Sequence, residues 1–315
     1  MVEKQFKTLD EQIDILRHKG LIIKDERYAK EVLLRENYFF LMGYRHLFIK
    51  KDKQFKDNTT FEELYSLFLF DRHLRNIIFK YLLVIENNLK SIFSYQLSKK
   101  YGYKEKDYLK NHNFTTAPEK HAQLNDLLRK MKRQIRVNGS QHTATQHYAS
   151  NYGYIPLWIL VKVLSFGIIS ELFQVLKIDD QKEIASIYGI DYETFIVYLP
   201  ILANYRNLCA HEDILYENKT QKAIDDTIYH QLLKIEKIED EYSKGKTDLF
   251  ALLIIIKQLL KEDEFKNMTL EIDNVVETLN YNLNTIKIDD VLNRMGFPLN
   301  WKDLSRIERS NDLSE

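Results

Sequence analysis

An all-α fold is predicted by three features of this 315-residue sequence. Glycine and proline are scarce, at nine and four residues, too few for an all-β chain that needs turn residues every ~8–12 positions. Apolar residues recur at three- and four-residue steps, the spacing that gathers them on one helix face. Residues that start helices (Thr, Asp or Pro) stand ahead of most of these stretches.

The elements follow in order. Thr8 ahead of Leu9-Asp10-Glu11, with Gly20 beyond, predicts a helix over 9–18. Asp25 opens a second through Asn37, and the aromatic-rich stretch 38–48 reads as a short helix and turn packed into the core. Thr60 with Glu63 forms a capping-box pattern that opens a long amphipathic helix. It passes through Leu64, Leu67, Leu74, Ile78, Ile85 and Leu89 to end near Tyr101-Gly102. Pro118 suits the first turn of a helix running to about Val137. The polar stretch 138–154 is expected to be the least structured interior segment. Pro156 opens an apolar helix reaching Phe166-Gly167, and 168–176 continues it or starts the next. A helix over 180–188 stops at Gly189, and Asp191 caps one from Tyr192 to about Tyr216 despite Pro200. Helices over 223–242, 247–261 and 270–283 precede a tail with Gly296-Phe297-Pro298 and Trp301. No repeat or linker interrupts the chain. The expected organisation is an N-terminal helical segment (1–60), a helical core (61–220) and a C-terminal helical extension (221–315), packed as one unit.

Cys209 is the sole cysteine, which excludes an intramolecular disulfide and a cysteine-rich metal site. The first residues lack an apolar stretch of signal-peptide length. The longest apolar run, from Leu249 to Ile256, is too short to cross a bilayer. A cytoplasmic protein without membrane association is expected. Net charge is zero, from 46 basic and 46 acidic residues, but residues 72–136 carry fifteen Lys or Arg against five acids. Such asymmetry marks either a polyanion-binding face or a basic helix packed near an acidic one.

The segment Arg206-Asn207-Leu208-Cys209-Ala210-His211 suits metal-free RNA cleavage. Attack of a 2′-hydroxyl on the adjacent phosphorus needs a base at the 2′-oxygen and an acid at the departing 5′-oxygen. Histidine serves either task because its ordinary pKa of about 6.5 keeps both protonation states accessible. A guanidinium stays charged and forks onto the phosphate oxygens as negative charge builds. Asn207 is placed to hydrogen-bond the ring or the phosphate. No cofactor is required. At about 100° per residue, Asn207 and His211 share a helix face, whereas Arg206 and His211 diverge by roughly 140°. Two copies facing across a two-fold axis would resolve this by sharing residues, so a homodimer is expected.

Spacing alone has competitors. With nine histidines, on the order of one such Arg–His pair arises by chance, and Arg136 with His142 is a second instance. A purely structural alternative pairs Arg206 with Glu212 or Asp213 and satisfies His211 with a backbone carbonyl. Glu86 on the long helix is a candidate to position Arg206 or His211, or else a structural ion-pair partner. Tyr38, Tyr44 and the adjacent phenylalanines offer stacking surfaces or core. His142 and His147, five apart, are a two-histidine spacing without further ligands for a metal, and Cys209 offers a labelling site inside the motif.

Tyr205 to His211 resembles the Arg-Asn-x-x-x-His signature of HEPN-fold ribonucleases, and the chain more broadly resembles the Abi-like (AbiD/AbiF) bacterial abortive-infection proteins. Three further stretches carry that likeness: Asn37-Tyr38 with Gly43-Tyr44, Asp71-Arg72-His73-Leu74-Arg75 followed by Glu86, and Met295-Gly296-Phe297-Pro298 with Trp301. The resemblance implies an all-α HEPN-like bundle over 61–220, with additional N- and C-terminal helices. It further implies a phage-defence toxin that cleaves RNA, with Arg206 and His211 catalytic and Asn207 assisting, and a small structured noncoding RNA that restrains it. The basic segment is where we expect RNA phosphates to sit, at Arg72, Arg75, Lys99, Lys100, Arg129, Lys130, Lys132, Arg133 and Arg136. A noncatalytic RNA-binding regulator of the same fold is the alternative, and a protein-interaction scaffold a third.

Overall fold

Thr60 Oγ1 accepts the Glu63 amide at 3.2 Å and starts the helix around which the rest of the molecule is arranged. The computed structural model describes residues 5–308. Ahead of that helix come α1 (Leu9–His18), α2 (Glu26–Glu36) and α3 (Tyr38–Met42), then a 3-10 turn over Gly43–Phe48. Thr8 and Glu11 close the first as a full capping box. Asn37 ends α2 and starts α3. It has a positive φ of 67°, which asparagine tolerates better than most residues, and its side chain accepts the Phe39 amide at 2.8 Å.

Helix α4 (Phe61–Tyr101) spans 41 residues, ~60 Å at 1.5 Å per residue. Its apolar residues are buried along its length, from Phe61 to Leu97, because neighbours pack on it from several sides. The second half of its capping box is diverted. The buried Glu63 carboxylate instead accepts the Asn284 and Thr285 amides at 2.8 and 2.7 Å, fastening a C-terminal loop to the start of α4.

Beyond α4 lie α5 (Glu105–Tyr108), α6 (His121–Asn138), α7 (Thr143–Tyr152), α8 (Leu157–Val163), α9 (Phe166–Val175), α10 (Ile178–Ser186) and α11 (Tyr192–Ala210). The polar stretch expected to be the least structured is largely α7, ended by Gly153 at φ +73°. Its helical signal was masked because it buries little apolar surface. Ser165 breaks the apolar run by capping α9, with the Ile168 amide 3.3 Å from its Oγ. Helix α11 runs through Pro200 but stops at Ala210, short of the expected Tyr216. The buried Asp71 carboxylate takes the Leu215 and Tyr216 amides at 3.1 and 2.7 Å, turning the chain across α4.

The C-terminal part holds α12 (Ile228–Leu232), α13 (Leu249–Leu259), α14 (Glu262–Asn282) and α15 (Ile288–Arg294), with a two-stranded hairpin of β1 (Lys237–Ile238) and β2 (Glu241–Tyr242). The long helix expected over 223–242 is therefore absent. Glu239 and Asp240 both take positive φ, as a tight two-residue hairpin turn requires. Helix α14 starts earlier than expected and packs against α4. Among the described residues these two short strands are the only sheet, and the fold is all-α. No described helix is long and apolar enough to cross a membrane.

Gly296 shows why the tail needs its glycine. It sits at φ +78°, and a Cβ there would lie 2.0 Å from the Asp248 carboxyl carbon. That carboxylate accepts the Gly245 and Ala251 amides at 3.1 Å, so it cannot withdraw cheaply. Phe297 then packs on the buried Trp301.

Candidate active site

Helices α4 and α11 bring Glu86 and Arg206 together. Arg206 Nε donates to Glu86 Oε2 at 3.1 Å, while Lys90 Nζ lies 2.7 Å from the other carboxylate oxygen. Glu86 is buried and Arg206 is half-buried, its guanidinium carbon 5.6 Å from the centre of the Phe79 ring. Arg206 Nη1 also reaches Asn207 Oδ1, at a long 3.5 Å. Carboxylate, ring and amide thus restrict the guanidinium, and its Nη2 has no protein partner among the described residues.

His211 caps the C-terminus of α11, its backbone amide donating to the Asn207 carbonyl at 3.0 Å. The residue is exposed, and its ring makes no hydrogen bond to protein among the described residues. It lines a cleft of about 1260 Å³ together with Phe39, Phe40, Arg45, Arg72 and Glu212. The alternative pairing of Arg206 with Glu212 or Asp213 does not occur. Glu212 lies instead 3.9 Å from Arg72. As the helical period foretells, no hydrogen bond joins Arg206 to His211 within one chain among the described residues, since one turns to α4 and the other to the cleft.

A buried ion pair fixes the backbone just past His211. Arg75 Nη1 and the Tyr44 hydroxyl both bond Asp71 Oδ2, the latter at 2.7 Å, and Arg75 Nη1 reaches the Asp213 carbonyl at 3.3 Å. Burial pushes the Asp71 carboxyl above the usual carboxylate range, and Arg75, the Tyr44 hydroxyl and the Leu215 and Tyr216 amides offset only part of that rise. Gly43 belongs to the same junction, because a Cβ there would meet Ile214 Cδ1 at 2.7 Å. Asp71 is a residue of this junction that the motif does not include. Its signal was the Asp-x-x-x-Arg spacing, which puts the two side chains one turn apart on a helix. Tyr44 is core, whereas Phe39 and Phe40 stand exposed beside the cleft.

The remaining candidates divide. Arg75 is 3% exposed and its guanidinium serves Asp71 and Tyr44, so the expectation that it contacts phosphate gives way to a structural role. Arg72 holds Glu36 through two bonds, at 3.0 and 2.6 Å, at the edge of the cleft. Lys100 pairs with the buried Asp180, Arg129 with Asp126, and Lys130 with Glu171 and Asp126. Lys99, Lys132, Arg133 and Arg136 are exposed without an ion pair among the described residues. Much of the basic excess is thus met by acids from outside the segment. Neither residue of the second Arg–His spacing lines the cleft: Arg136 is exposed on α6 and His142 precedes α7. Among the described residues no group of three or more His, Cys, Asp or Glu is disposed to hold a metal ion. Cys209 is buried, and burial pushes its thiol up to about 12, which makes it a poor labelling site in the folded protein.

The profile of the Abi-like protein family matches residues 31–217, more than half of the chain. The matched span holds Asn37 to Tyr44, the Asp71–Arg75 pair, Glu86 and the Arg206–His211 segment, and it ends before the Gly296-Phe297-Pro298 tail. No curated protein and no solved structure matches the chain. The chain belongs to the Abi-like protein family, whose members are abortive-infection proteins of phage defence.

Proposed function

We propose that this protein is a metal-independent HEPN-type endoribonuclease that acts in phage defence by cleaving RNA. The observation that carries the reading is the end of α11: an Arg206 guanidinium held by buried Glu86, with an exposed His211 ring one and a half turns on that has no hydrogen-bond partner among the described residues. In this reading a 2′-hydroxyl attacks phosphorus, its proton passes to a histidine, and the 5′-oxygen leaves with a proton from an acid. The products are a 2′,3′-cyclic phosphate and a 5′-hydroxyl. Arg206 meets the charge on the nonbridging oxygens, Asn207 orients ring or phosphate, and Glu86 is a positioning residue for Arg206.

A second copy of the chain supplies the convergence that one copy lacks. With the α11 ends apposed across a two-fold axis, each site takes Arg206 from one subunit and His211 from the other. A small structured noncoding RNA is the proposed restraint, and exposed cations such as Lys132, Arg133 and Arg136 are its proposed phosphate contacts.

The test uses purified wild type, Arg206→Ala and His211→Ala on total cellular RNA in EDTA, with binding measured alongside. Cleavage by wild type alone, with binding kept in both variants, supports the enzyme. The separation of Arg206 from His211 within one chain favours a second reading, a noncatalytic RNA-binding regulator. Tight binding by an inert wild type freed of RNA would establish that one.

A further inference from the structure

Helix α7 and its flanks carry an aromatic ladder that the site above does not use. Ring centroids step from Trp158 to Tyr103 (5.5 Å), Tyr103 to Tyr154 (5.7 Å), Tyr154 to Tyr152 (6.3 Å) and Tyr152 to Tyr148 (5.3 Å). These rings are not core: Tyr152 is 57% exposed, Trp158 43% and Tyr103 41%. A run of large half-exposed aromatics in tilted ring-to-ring contact is costly to leave in water, and it marks a surface that takes a ligand.

The charge around the ladder says which ligand. No Asp or Glu occurs between Asp126 and Glu171, while Arg129, Lys130, Lys132, Arg133, Arg136 and Lys162 do; the acid next to the ladder, Glu105, is engaged by the Ile155 amide. Helix α6 packs against both α7 and α8, which bear Tyr148, Tyr152 and Trp158. Lys104 lies inside the ladder, its Nζ 4.7 Å from the Tyr154 ring centre and 5.8 Å from that of Tyr103.

We propose that this surface binds single-stranded nucleic acid, with unpaired bases stacked on Trp158, Tyr103 and Tyr152 and a phosphate met by Lys104. Exposed rings beside unpaired cations are the combination that holds single strands, because every base offers a π-face and every nucleotide a charge. A duplex keeps its faces stacked and would engage only the cations. The ladder begins past the end of α4 and so lies ~20 Å or more along that helix from Glu86. It is a second site, separate from Arg206 and His211.

Trp158 is one of two tryptophans, and the other, Trp301, is buried, so intrinsic fluorescence reads the ladder directly. The full-length protein is titrated with a 12-nucleotide oligo(U), a 12-nucleotide oligo(dT) and a 12-base-pair RNA duplex, with EDTA present. Oligo(dT) has no 2′-hydroxyl and cannot be cleaved by the proposed chemistry, so its binding is read independently of any ribonuclease activity. Both single strands quench the fluorescence and the duplex does not. Quenching by oligo(U) alone assigns the site to RNA, and equal quenching by both assigns it to single strands of either sugar. Trp158→Phe loses the quench, and Tyr152→Ala weakens single-strand binding about 5-fold or more with its salt dependence unchanged. Lys104→Ala lowers the salt slope by roughly 0.7. Binding of the duplex as tightly as the single strand without quenching, or binding of no nucleic acid at all, overturns the proposal.

Discussion

Arg206 Nε donates to the Glu86 carboxylate across 3.1 Å, joining residues 120 apart in sequence, and Lys90 holds the second oxygen. The acid is nearly dry, so removing it strands two cations. Glu86→Ala is expected to cost about 1–3 kcal/mol, below the value for a fully buried pair because Arg206 is partly solvated. Urea unfolding measures it, and an unchanged midpoint would mean that the pair contributes nothing. In the proposed enzyme, Glu86→Gln keeps binding while cleavage falls.

The Asp71–Arg75 pair is the harsher case. Asp71→Ala leaves a guanidinium 3% exposed with no counter-ion and releases the Leu215 and Tyr216 amides. About 3–5 kcal/mol of stability is lost, read by chemical denaturation. Arg75→Met added to Asp71→Leu restores part of that loss, because an apolar pair has no charge to strand.

Gly296→Ala is expected to destabilise by at least about 2 kcal/mol. Left-handed backbone alone costs an L-residue roughly 1–2 kcal/mol, and the added methyl meets a carboxylate that is itself held in place. A melting temperature within a degree of wild type would contradict the close approach.

Stability should fall as pH drops below neutrality, through His230. Its buried ring donates from Nε2 to the Gly245 carbonyl at 2.9 Å and accepts the Thr227 amide on Nδ1 at 3.1 Å, an arrangement that only the neutral tautomer satisfies. Burial lowers its pKa in the folded protein. The unfolded chain takes up the proton near the ordinary value of about 6.5, so below that pH the unfolded state binds more protons and stability declines with falling pH. Urea midpoints between pH 5.5 and 7.5 should slope more steeply for wild type than for His230→Asn.

Much of this fold is legible in the sequence because caps and periodicity act locally. Thr8, Asp25, Thr60 and Asp191 each start the helix they foretell. What escapes local reading is decided at a distance. The end of α11 is set by Asp71, 144 positions before the Leu215 amide it accepts. Glu63, in the capping-box position, is claimed by a loop more than 200 residues away. Helix α7 is too polar to announce itself, and the 223–242 segment carries helix-forming residues into a hairpin without a turn glycine. The residues of the motif are equally legible, and their chemistry is read from residue type. That Arg206 and His211 face apart follows from the helical period, and the partners that hold each do not.

Mixing variants tests the shared site. If Arg206 and His211 come from different subunits, each mixed dimer of Arg206→Ala with His211→Ala rebuilds one of two sites. Random exchange of equal amounts then recovers about a quarter of wild-type cleavage. A site contained within one chain recovers none.

The most direct test of the central claim is the chemistry at the cut, read on an RNA bearing a preferred cleavage site and on the same RNA with one 2′-deoxy nucleotide at that site, both in EDTA. Wild type is expected to leave a 2′,3′-cyclic phosphate and a 5′-hydroxyl on the first and to spare the second, while His211→Ala cuts neither. Cleavage of the deoxy substrate at that bond, or equal cleavage by His211→Ala, would contradict 2′-hydroxyl attack by this site.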